Sequence, residues 1–148
     1  MKKLALILSI AALLLIAAAC GSQSNGGSAS LSAGGGEKVI KIAPLGNLTV
    51  TLASESGQLK KGENEFLLTV KDSSGKNVEV SAVSLSLRMP AMGTMAEMND
   101  QATFSTTKTP GVCRAKIDIE VGGEWQVKVV YDGPAGRAET SFPVIVQQ

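Results

Sequence analysis

Cys113-Arg114-Ala115-Lys116-Ile117-Asp118-Ile119-Glu120-Val121 alternates apolar and charged residues over nine positions, and that alternation decides the fold class. Side chains on a strand point to opposite faces in turn, so one face carries Cys113, Ala115, Ile117, Ile119 and Val121 and the other carries only charge. Gly122-Gly123 then turns the chain into Trp125-Gln126-Val127-Lys128-Val129, which reads as the returning arm of a hairpin.

Working outward, similar runs recur. Val39–Ile42, Leu48–Leu52 and Glu65–Val70 precede the turn cluster Asp72-Ser73-Ser74-Gly75. In Val78–Leu87, Val83, Leu85 and Leu87 alternate with polar residues. Asp132-Gly133-Pro134-Ala135-Gly136 is a second strong turn, and a last strand is expected from Thr140 to Val146. No segment sustains a helical period. Seven or eight short strands at this spacing predict an all-β domain, an antiparallel two-sheet sandwich of immunoglobulin-like type. Trp125, the only tryptophan, is expected between the sheets.

The sandwich is expected over residues 37–148 of the 148-residue chain. Residues 1–19 have the layout of an export signal: Lys2 and Lys3, an apolar run from Leu4 to Ala19, and small residues Ala17-Ala18-Ala19 before Cys20. The run is short for a spanning helix, which needs about 20 apolar residues. A cysteine directly after small residues resembles the bacterial lipobox, although Ala17 stands where an aliphatic residue is usual. Cleavage before Cys20 and lipidation, palmitate included, would anchor the chain on the extracytoplasmic side of a membrane; two or more acyl chains make such an anchor stable. No aspartate follows Cys20, so in a Gram-negative cell the outer membrane is expected. An uncleaved N-terminal anchor is the alternative. Residues 20–36 are nearly all Gly, Ser, Ala and Asn after the cysteine, the composition of a flexible tether.

The chain has 14 Lys and Arg against 13 Asp and Glu. Without Lys2 and Lys3 the cations number 12, a net charge of −1 for the processed chain. With no clustered basic stripe, nucleic-acid binding is not expected. There is no histidine, no nucleophile elbow and no phosphate-binding glycine loop opening a helix, so an enzyme is not expected. Lipidation of Cys20 would leave Cys113 without a disulfide partner.

Four of the five methionines fall at three-residue spacing in Met89-Pro90-Ala91-Met92-Gly93-Thr94-Met95-Ala96-Glu97-Met98. Pro90 and Gly93 oppose a helix, so a loop at one end of the sandwich is expected between Leu87 and Gln101. Thioether sulfur is a soft ligand that suits Cu(I) or Ag(I) and needs no deprotonation. If the loop folds back, three of the sulfurs of Met89, Met92, Met95 and Met98 could surround one ion. Two other readings stand beside this one. Methionine is also an adaptable filler for the end of a core, and it makes pliable protein-contact surfaces. Cys113 reads as a small buried hydrophobe, or as a further ligand if it neighbours the methionines.

Gly62-Glu63-Asn64-Glu65-Phe66, Asp72-Ser73-Ser74-Gly75-Lys76-Asn77-Val78, Met89-Pro90-Ala91-Met92-Gly93, Pro110-Gly111-Val112-Cys113 and Gly123-Glu124-Trp125 occur in order. From about Ile42 to Gln148 this resembles the YtkA-like domain, related to the FixH-like group. The resemblance implies an immunoglobulin-like sandwich in an exported or membrane-tethered protein. It also implies an association with copper handling, heavy-metal efflux or oxidase maturation, and hence an envelope protein partner. Met89 and Met92 match the methionines of the family motif. Thr94 stands where many members have histidine, and Cys113 where many have an aromatic residue.

Overall fold

The computed structural model describes residues 36–148, so the signal segment, Cys20 and nearly all of the tether lie outside the described residues. The described chain is all-β, with ten strands and no helix. They are β1 (Lys38–Leu45), β2 (Leu48–Ser54), β3 (Leu59–Lys60), β4 (Gly62–Lys71), β5 (Ala82–Met89), β6 (Met98–Gln101), β7 (Thr103–Thr106), β8 (Val112–Ile119), β9 (Gly123–Gly133) and β10 (Gly136–Gln147). One five-stranded sheet has the order β1-β2-β4-β8-β7 and the other β3-β10-β9-β5-β6.

This is an immunoglobulin-like sandwich. The leading segment is divided between the sheets: β2 pairs antiparallel with β4, and β3 runs parallel to β10. The strand β1 is an addition, folded back antiparallel on β2 through the turn at Gly46-Asn47. Because β1 reverses the chain, its first residue lies opposite Ser54, the last of β2.

The ten strands exceed the seven or eight legible in the sequence because β3, β6 and β7 have two to four residues each. So short a segment shows no period. The strand expected from Val78 starts only at Ala82; Val78 and Val80 belong to the preceding loop and still pack on the core. One expectation is corrected. Cys113–Val121 and Trp125–Val129 are not the arms of a hairpin: β8 pairs with β4 and β7, whereas β9 pairs with β5 and β10. The chain crosses from sheet to sheet at Gly122, which is buried; a Cβ there would meet the Val146 carbonyl oxygen at 3.1 Å. Alternation marks which residues of each arm face the core, and an arch and a hairpin satisfy it equally.

The core lies between the sheets. Leu52, Leu68, Val70, Ala115 and Ile119 from one face meet Leu85, Leu87, Trp125, Val127 and Tyr131 from the other, all essentially without solvent exposure. Both polar aromatic tips are satisfied: Trp125 Nε1 donates to the Val121 carbonyl at 3.0 Å, and Tyr131 Oη donates to the Glu79 carbonyl at 2.9 Å. Trp125 is thus core, as expected from its alternation.

Candidate functional site: the methionine hairpin

The segment 89–98 forms the connection of a β5–β6 hairpin. Met89 pairs with Met98 as the last rung of the ladder. Beyond it the strands part at Pro90, whose ring nitrogen cannot donate. They close again at an isolated bridge between Met92 and Met95, where each amide donates to the other's carbonyl, at 3.2 and 2.9 Å. Gly93-Thr94 makes the two-residue turn. Gly93 has φ of 57°, the positive value that tight hairpin turns need at this position.

The three-residue spacing therefore becomes two cross-strand pairs with different surroundings. Met89 is 4% exposed and belongs to the core; its Cε sits 3.1 Å from where a Cβ on Gly123 would be. Met98, its partner, is half-buried against the same core. Met92 and Met95 are 56% and 45% exposed at the tip. Three residues of strand rise separate the pairs by about 10 Å. The loop does not fold back into a ring of sulfurs; it holds two thioethers outward and roots the other two in the sandwich.

The base of the tip is held by charge. Arg88 Nη2 donates to Glu97 Oε2 at 2.6 Å, and Asn99 Nδ2 donates to Glu97 Oε1 at 3.0 Å. The Arg88 guanidinium, and after it the Asn99 amide, lower the Glu97 pKa to about 2. Every residue from Pro90 to Glu97 is exposed, and none of Met89–Ala96 is charged.

Cys113 is elsewhere. It is 7% exposed at the start of β8, opposite Leu68 of β4 and Thr106 of β7. The strand then runs to Ile119, opposite Gly62, before the chain reaches Gly123 beside Met89. Six residues of strand place Cys113 about 20 Å from that end. The fold thus does not bring Cys113 to the methionines. Burial raises its thiol pKa, as for a small hydrophobe in a core.

Two features carried no sequence signal. Asp100 lies opposite Leu87 on the core-facing side of β6, and its Oδ2 is buried without a partner. Desolvation, and then repulsion from Glu120 and Asp118, raise its pKa. A shallow cleft of about 520 Å³ lies beside β2 and β4, with Glu37, Ser54, Asn64, Leu67, Glu65 and Arg114 in its walls. Glu65 is paired with Arg114 and, at 3.2 Å, with Lys116, which lower its pKa. Among the described residues no three His, Cys, Asp or Glu side chains gather as a metal-holding group.

The YtkA-like family model matches residues 43–130, which include the hairpin, Cys113 and Trp125 but stop short of β10. No curated protein matches the chain.

Proposed function

The chain belongs to the YtkA-like family, and we propose that it is a membrane-tethered, non-catalytic binding module that holds Cu(I) or Ag(I) at the tip of its methionine hairpin. The observation that carries this reading is the Met92–Met95 bridge. Directly opposed residues have Cβ atoms about 5 Å apart, so two flexible thioethers can close on one ion from the same side. Thioethers are neutral and soft, which favours monovalent copper or silver and keeps the site usable at any ordinary pH. Met89 serves as the packed root of the hairpin, and Met98 supports it.

The tether reading rests on the sequence: Cys20 after Ala17-Ala18-Ala19, then the Gly/Ser-rich segment. It would hold the module on the outer side of a bacterial membrane, the outer membrane in a Gram-negative cell. Cys20→Ala should release the chain into the soluble fraction.

Titration of Cu(I) into the domain against bicinchoninate tests the site. Wild type should compete, and Met92→Leu/Met95→Leu should not; equal competition by both ends the metal reading. A second reading is favoured by the exposure of the same two side chains, 56% and 45%. They would serve as a pliable contact for an envelope protein, in an assembly such as an efflux or oxidase-maturation system, with no ion involved.

A further inference from the structure

We infer that Met92 and Met95 form a paired sulfoxidation site, at which hydrogen peroxide or a related two-electron oxidant switches off ion binding without unfolding the sandwich. The inference rests on the metal reading above and names its regulation.

The first ground is the chemistry of the shared sulfur. In the oxidation, a thioether lone pair attacks one peroxide oxygen and the O–O bond breaks. The leaving hydroxide takes the proton of the transferred oxygen and departs as water. Sulfur gives up two electrons, peroxide gains them, and the product is methionine sulfoxide. A Cu(I) or Ag(I) ion would take the same lone pair, so oxygen and ion compete for one atom. The sulfoxide presents a hard oxygen where a soft sulfur stood. Because the tip holds two thioethers, oxidation of either leaves a single soft ligand.

The second ground is the division of the hairpin. In a chain cleaved before Cys20, all four methionines lie in it. Met92 and Met95 stand among the exposed residues 90–97, where an oxidant reaches both sulfurs and water solvates the sulfoxide dipole. Met89 is core, where the same dipole would be desolvated, and Met98 packs against that core. The hairpin itself does not depend on the reacting atoms. Its tip is closed by the paired Met92 and Met95 amides and carbonyls, turned at Gly93, and braced by the Arg88–Glu97 ion pair. The two exposed sulfurs can therefore change oxidation state while the two packed ones hold the fold.

The test uses residues 20–148 with Cys20→Ala, treated with hydrogen peroxide and followed by peptide mass mapping. Sulfoxide should form at 92 and 95 at close to the rate of free methionine, and at 89 at least about tenfold more slowly, since a buried group reacts only on opening. The product with two oxygens should keep its Tm within about 2 °C. Its affinity for Ag(I) should fall at least about tenfold. Two methionine sulfoxide reductases, one for each epimer, should restore that affinity with a dithiol as reductant, which is removed before titration. Saturating Ag(I), used because Cu(I) itself reduces peroxide, should slow oxidation at 92 and 95 and leave 98 unchanged. Met92→Leu/Met95→Leu should take up no oxygen over the same period. Oxidation at 92 and 95 no faster than at 89 overturns the inference and leaves the metal reading standing. So does a Tm that collapses as the first two oxygens add. Failure of the untreated chain to hold Ag(I) overturns the metal reading and the switch together.

Discussion

Met89→Ala and Met92→Ala remove the same atoms from two residues three positions apart, and the structure assigns them opposite consequences. Met89 is 4% exposed, belongs to the core and touches Gly123. Truncating a buried methionine to alanine costs about 2–5 kcal/mol, and less where the site can collapse. Met89 is at a strand end, so about 2–3 kcal/mol is expected. For a domain of this size that lowers Tm by about 8–12 °C. Met92 is 56% exposed, and its truncation should change stability by less than about 0.5 kcal/mol. Affinity for Cu(I) should divide the other way: Met92→Ala weakens it at least about tenfold, or about 1.4 kcal/mol, and Met89→Ala leaves it within about twofold. Urea unfolding followed by Trp125 fluorescence measures the first effect, since that indole is wholly buried between the sheets. Competition with bicinchoninate, on protein shown to be folded, measures the second. A Met89→Ala variant that keeps its stability but loses the ion would refute the division of the methionines into a root and a tip.

Asn64 accepts from the Lys60 amide at 2.8 Å and donates to the carbonyls of Lys60 and Gly62, both at 2.7 Å. Asn64→Ala should therefore cost about 2–4 kcal/mol in urea unfolding, because three partly buried backbone groups lose their partner. The raised pKa of Asp100 makes its ionised form a net cost to the fold. Its favourable contribution is complete below the ordinary aspartate pKa and is lost as pH rises through the raised one. Asp100→Asn should accordingly be more stable than wild type at pH 7, with the gap closing as pH falls through that window; an unchanging gap in pH-dependent melts would contradict the burial argument. Cys113, buried with a raised thiol pKa, should react with an aromatic disulfide reagent at neutral pH only on unfolding, so its labelling rate should follow urea concentration.

The sheet strands were legible wherever one face is buried and the other wet. In β8 the burial alternates along Cys113–Ile119 as the sequence does, and in β9 it places Trp125, Val127, Val129 and Tyr131 inward. That pattern is a local consequence of a period-two backbone at a water boundary, so the sequence by itself determined fold class, core residues and the methionine spacing. Partnership was decided elsewhere. Whether β8 returns on itself or crosses to the other sheet depends on β4, β5, β7 and β10, which are distant in sequence. The same holds for the methionines. Their even spacing allows three of the four sulfurs to surround one ion if the loop folds back, but hairpin pairing sets Met89 with Met98 on the core and Met92 with Met95 at the exposed tip. Only the tertiary structure separates Cys113 from that tip, because strand direction and sheet order are set by long-range pairing.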